Sequence, residues 1–126
     1  MARLEHVNIA VRDPKATAKV LSDLFDWKTR WEGPALRDGF TVHVGDEETY
    51  LALYRHSDHA MDQQAPRYTH LAAMNHIGIV VDDIDAIEAA VKAKGYETHS
   101  HADYEPGRRF YYTGHGDLEI EVVQYD

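Results

Sequence analysis

The chain repeats itself, and the repeat constrains its fold more than any other feature. Residues 6–13 read HVNIAVRD and residues 76–83 read HIGIVVDD, an offset of 76 − 6 = 70 positions, and each copy opens with a histidine. In a chain of 126 residues neither half is long enough to bury much apolar surface alone, so a single domain over residues 1–126 is expected. The likeness continues beyond the opening strand. After the first copy comes PKATAKVLSDLF (14–25), with Asp13 placed to cap a helix, Pro14 in its first turn, and Val20, Leu21, Leu24 and Phe25 on one face. After the second comes IDAIEAAVKAKG (84–95), in which Ile84, Ile87 and Val91 share a face, Asp85 and Glu88 have the spacing of a capping box, and Gly95 supplies the stop. DWKT (26–29) then matches GYET (95–98) at an offset of 95 − 26 = 69.

Each copy next divides into three short strands separated by turn residues. In the first these are Lys28 to Trp31, FTVHV (40–44) and TYLALY (49–54), with turns at RDG (37–39) and GDEE (45–48). In the second they are ETHSH (97–101), RFYYT (109–113) and LEIEVVQY (118–125), with turns at EPG (105–107) and GHGD (114–117). The class is therefore α+β, a tandem βαβββ repeat with module one at 1–55, a connection at 56–73 and module two at 74–126. RHSDHAMDQQAPRYTH (55–70), polar, proline-bearing and aperiodic, suits a surface connection.

Alternation along a strand sorts the side chains onto two faces. Val7, Ile9, Val11, Ile77, Ile79 and Val81 suit the face beneath the helices, with Ile120 and Val122. The other face receives His6, Asn8, Ala10, His76, Gly78 and Val80, together with Glu119, Glu121 and Val123, so two histidines and a carboxylate line one concavity. With no cysteine in the chain, thiolate ligands and thiol nucleophiles are excluded, and any metal must be held by His, Asp or Glu. Twenty-two acidic against thirteen basic residues, a net charge of −9, argue against nucleic acid or an anionic membrane as partner. Neither a signal peptide nor a membrane-spanning stretch is visible, so a cytoplasmic protein is expected. No triad spacing and no glycine-rich phosphate loop is visible either.

The module-opening strands LEHVNIAV (4–11) and MNHIGIVV (74–81) and the closing GRRFYYTGHGDLEIEVVQY (107–125) resemble the vicinal oxygen chelate superfamily: glyoxalase I, extradiol dioxygenases, fosfomycin-resistance enzymes and bleomycin-resistance proteins. The resemblance implies tandem modules forming a curved, partly open mixed β-barrel with flanking helices, assembled as a homodimer. It also implies a divalent metal (Fe, Mn, Ni or Zn) on the first and fourth strands, which maps to His6, His76 and Glu121. Position 121 − 69 = 52 is alanine, where glyoxalase I and related isomerases usually carry a further glutamate. The remaining set leaves coordination positions open for a small-molecule substrate with vicinal oxygens. Extradiol-type oxygenase chemistry is expected ahead of glyoxalase-type lyase or isomerase and fosfomycin-type transferase chemistry; the alternative is a metal-free binding protein of bleomycin-resistance type. Glu119 is a candidate base beside Glu121, His43 a candidate acid or base, and Tyr50 a catalytic phenol. Tyr54 and Tyr112 are candidate substrate donors, and Arg108 and Arg109 a candidate clamp on an anionic group. His70 competes with His76 as ligand but precedes the strand. HSDH (56–59) and HSH (99–101) read as surface histidines. Each of these residues also has a plain structural reading: a histidine at a strand start is often only hydrogen-bonded, and a tyrosine beside a cavity often only fills it.

Overall fold

The two α-helices among the described residues each begin where an aspartate offers its carboxylate to free backbone donors, at matching points of the repeat. In the computed structural model, which describes residues 1–57 and 66–126, the order is β1 (His6–Ala10), α1 (Pro14–Phe25), β2 (Lys28–Ala35), β3 (Gly39–Gly45), β4 (Tyr50–Arg55), β5 (Ile77–Val80), α2 (Ile84–Ala93), β6 (Thr98–Tyr104), β7 (Gly107–Thr113) and β8 (Glu119–Tyr125). The chain divides into two compact units, Met1–Gln64 and Ala65–Asp126. Each is βαβββ with one mixed four-stranded sheet, ordered β1-β4-β3-β2 in the first unit and β5-β8-β7-β6 in the second. The opening strand pairs in parallel with the last strand of its own unit, and the other pairings are antiparallel. Among the described residues, no helix is long and apolar enough to cross a membrane.

Asp13 accepts from the Ala16 amide at 3.0 Å, and Pro14, which lacks an amide hydrogen, occupies the first helical position. In the second unit Asp83, not Asp85, is the cap, accepting from the Ala86 amide at 3.1 Å. The expected Asp85–Glu88 capping box does not form, because α2 starts at Ile84 and puts Asp85 already inside its first turn. Glu88 turns to β6 instead, accepting from Thr98 Oγ1 and lying 2.6 Å from His101 Nε2. Gly95 ends the helix as expected, at φ +94° with its amide donating to Lys92 O at 2.9 Å.

β2 runs to Ala35 rather than stopping at Trp31, its tail pairing Pro34 with Phe40 and Ala35 with Gly39. Proline is tolerated there because β2 is an edge strand and needs no donor on its open side. Alternation places Val42, Val44, Leu51 and Leu53 against Leu21 and Leu24 in the first core. Phe110, Tyr112, Ile120 and Val122 meet Ile84 and Val91 in the second. The opposite sheet faces carry polar and aromatic side chains together with Ala52, Val80 and Val123. Of the HSDH stretch, His59 lies outside the described residues.

Candidate functional site

In the second unit, strand register decides which side chains meet. Glu121 sits on β8 between Gly78 of β5 and Tyr111 of β7, and His76 stands one residue before β5. His76 Nε2 lies 3.9 Å from Glu121 Oε2, Tyr111 Oη donates to that same oxygen, and Arg109 Nη1 lies 3.7 Å from Oε1. Glu121 and Arg109 keep only 14% and 10% of their side-chain surface exposed, so their attraction is screened less than at a surface. The Tyr111 ring meets the edge of His76 at 5.4 Å, and its hydroxyl is pushed up to about 12 by the bond to Glu121 and by burial. It is therefore a neutral donor at physiological pH. Glu119 Oε1 accepts from Tyr68 Oη at 2.7 Å, and the same hydroxyl lies 3.1 Å from His76 Nδ1; the bond to Glu119 raises the Tyr68 pKa.

The donor chemistry of this cluster fits a divalent ion. Two donors each about 2.1 Å from a shared ion stand at most about 4.2 Å apart, and the His76–Glu121 spacing of 3.9 Å lies inside that limit. One imidazole and one carboxylate suit first-row ions from Mn to Zn. Among the described residues of either unit taken by itself, no group of three or more His, Asp or Glu side chains is gathered closely enough to hold a metal.

The first unit carries its own cluster on the corresponding face. His6 Nδ1 lies 2.9 Å from Glu5 Oε1, and Tyr50 Oη donates to the same oxygen at 3.2 Å, which together hold the Glu5 carboxyl below the usual range. Rings stack along the sheet: His6 on Tyr50 at 5.0 Å, Tyr50 on His43 at 4.6 Å, and His43 against Trp31 at 5.3 Å. Burial, then the charges of His6 and Arg30, lower the His43 pKa, so it stays neutral at neutral pH. Ala52 lies between Asn8 and His43, as Glu121 lies between Gly78 and Tyr111. A pocket of about 390 Å³ opens beside it, walled by Asn8, Leu36, Thr41, His43, Tyr54 and His56. The Tyr54 hydroxyl donates to Leu36 O at 2.8 Å and so spends its proton within the protein.

Two expected substrate contacts fall elsewhere. Tyr112 is on the helix side of β7, 1% exposed, because Tyr111 is the residue registered against Glu121. Arg108 shares that side and donates to Asp85 Oδ1 of α2 at 2.7 Å, while Arg109 alone reaches the carboxylate face. His70 bonds its neighbour Thr69 at 3.1 Å. His101 joins Glu88 on the helix side, and His99 stacks on Tyr111 at 6.3 Å. Tyr68 and Tyr111 went unnoticed in the sequence. The register of β7 reveals Tyr111, whereas nothing periodic marks Tyr68.

The profile of the Glyoxalase/Bleomycin resistance protein/Dioxygenase superfamily matches residues 5–112. Among solved structures, the chain is similar to a glyoxylase/bleomycin resistance protein/dioxygenase domain from Frankia sp. EAN1pec, at 15% identity and TM-score 0.76 over 100% of this chain and 99% of that one. It is also similar to a mutant of the fosfomycin resistance protein FosX from Listeria monocytogenes complexed with Mn(II) and 1S,2S-dihydroxypropylphosphonic acid, at 16% identity and TM-score 0.74 over 98% and 92%. A third is the trypanothione-dependent glyoxalase I of Leishmania major, at 20% identity and TM-score 0.76 over 98% and 87%. Among curated proteins, none matches this chain in sequence.

Proposed function

Because the chain belongs to the glyoxalase/bleomycin resistance protein/dioxygenase superfamily, we propose that it is a metal-dependent enzyme acting on a small molecule with two adjacent oxygens. His76 and Glu121 are two of its ligands and His6, from the first unit, the third. The observation that carries this reading is the 3.9 Å spacing of His76 Nε2 and Glu121 Oε2. A divalent ion bound there supplies Lewis acidity toward both oxygens of a vicinal diol or hydroxycarbonyl. The diol named with the Mn(II)-complexed FosX mutant supports the substrate class.

This chain's own residues have separable tasks. Tyr111 holds the Glu121 carboxylate by hydrogen bond, and Arg109 offsets its charge from the other oxygen. Neutral His43 can take or return a proton in the pocket that it lines. Glu119 is a second carboxylate on the same strand face, tied to Tyr68. The rings of His43, Tyr54 and His56 in the pocket wall can face a ring-bearing diol, and extradiol-type oxygenase chemistry is the reading we place ahead of lyase, isomerase or transferase chemistry.

The test is metal content and affinity. Purified protein loaded with Fe(II), Mn(II), Ni(II) or Zn(II) is expected to hold one ion per active site. His6→Ala, His76→Ala and Glu121→Gln are each expected to weaken binding by at least about tenfold, roughly 1.4 kcal/mol. Catechol-type diols with Fe(II) and dioxygen are the first substrates to assay. The hemithioacetal of methylglyoxal and glutathione is expected to turn over poorly, since Ala52 offers no carboxylate. Unaltered affinity in all three variants would sink the ligand assignment. A metal-free drug-binding protein is the second reading, favoured by a pocket whose walls come from the first unit and, among the described residues, include no carboxylate. Absence of stoichiometric metal together with tight metal-free ligand binding would establish it.

A further inference from the structure

We infer that Tyr68 is a positioning residue, bridging Glu119 to His76 so that the neutral imidazole carries its proton on Nδ1 and presents the Nε2 lone pair toward Glu121. The inference rests on the reading of His76 as a ligand only for its purpose. A phenol has one proton to give, and at 2.7 Å that proton goes to the Glu119 carboxylate, which has none. Toward His76 Nδ1, 3.1 Å away, the phenol oxygen can then only accept, which puts the hydrogen on Nδ1. Nε2 is left as the acceptor nitrogen, and it is Nε2 that lies 3.9 Å from Glu121 Oε2. Two acceptors facing each other across that gap suit a cation between them, and a ligating imidazole is commonly oriented by a partner on its other nitrogen.

The backbone is arranged to keep Tyr68 there. Its φ is +65°, the left-handed region that a bulky non-glycine residue seldom occupies. Such conformations persist where the surroundings enforce them, and they cluster at functional sites. Here Asn75, the residue before His76, accepts from the Tyr68 amide at 2.6 Å, and Arg67 donates to the carbonyl of Asp117, two residues before Glu119. Tyr68 is thus tied to the approaches of both strands it bridges. In the first unit His6 Nδ1 meets the Glu5 carboxylate directly at 2.9 Å. A carboxylate can only accept, so the neutral ring of His6 also has its Nε2 lone pair free. Different residues enforce one tautomer at both repeat positions.

The experiment is long-range proton–nitrogen NMR of the histidine rings in metal-free protein at about pH 8, where imidazole is neutral. Wild type is expected to show His76 as the Nδ1–H tautomer. Tyr68→Phe, which keeps the ring and loses the bridge, is expected to shift His76 toward Nε2–H while His6 stays unchanged. In Glu119→Gln the new amide can donate to the phenol oxygen and turn the Tyr68 proton toward Nδ1, driving the same shift. Mn(II) or Zn(II) affinity in the Tyr68→Phe variant should fall about tenfold. A wild-type His76 in the Nε2–H form, or one indifferent to Tyr68→Phe, overturns the inference. The expected tautomers in a protein that takes up no metal uphold the bridge and refute the metal reading alone.

Discussion

Two adjacent tyrosines on β7 show what one residue of register decides. Tyr111 sits beside Glu121 and holds its carboxylate, whereas Tyr112 is buried on the helix side with a hydroxyl that has no hydrogen-bond partner among the described residues and a pKa raised by burial. A buried unpaired hydroxyl costs free energy, so Tyr112→Phe is expected to leave stability unchanged or raise it by about 0.5–1 kcal/mol. Urea unfolding measures this, and a loss beyond about 1 kcal/mol would mean the hydroxyl is paired after all. In the sequence YY offers no means of choosing between the two, since alternation assigns faces only once one position is anchored. His76 and Glu121 were legible because the repeat supplied that anchor. Tyr68 was not legible, because the bridge depends on a left-handed backbone turn in an aperiodic segment.

At the level of elements, the order and class of the two α-helices and eight strands among the described residues could be read from the sequence, because periodicity and turn residues agree along both copies. Element ends were harder, since they depend on partners. β2 outlasts its apolar pattern because β3 continues to pair with it, and α2 starts one residue after Asp83 because that carboxylate reaches Ala86. Freed from capping, Glu88 ties α2 to β6. Burial, the largest influence on its carboxyl, pushes the pKa up, but the bonds from Thr98 and His101 outweigh it and the net shift is downward from 4.5. A depressed folded pKa stabilises the fold above the unfolded value, and that stability is lost as pH falls through the folded one. Thermal melts between about pH 6 and pH 3 should therefore show an acid-side decline that Glu88→Gln makes shallower. Coincident acid limbs for the two proteins would disprove the tie.

For the whole molecule, the duplication makes the βαβββ topology of each module legible, while pocket and partners depend on side chains that no repeat dictates. A homodimer is the assembly we propose. Val7 and Val80, on the edge strands β1 and β5, are 42% and 60% exposed, apolar surface that a second chain would cover. Sedimentation at micromolar concentration should give twice the 14.4 kDa chain mass, and a stable monomer would contradict the assembly. The parallel pairing of first and last strands also bears on how the chain is made. His6 pairs with Tyr50 and Ile77 with Ile120, separations of 44 and 43 residues, the longest-range strand pairings within each unit among the described residues. Loop-closure entropy makes such distant pairings slow relative to the hairpins inside them. During synthesis from the amino terminus, β1 therefore waits single-stranded until β4 has been made, and each histidine enters its place as one of the last acts of folding.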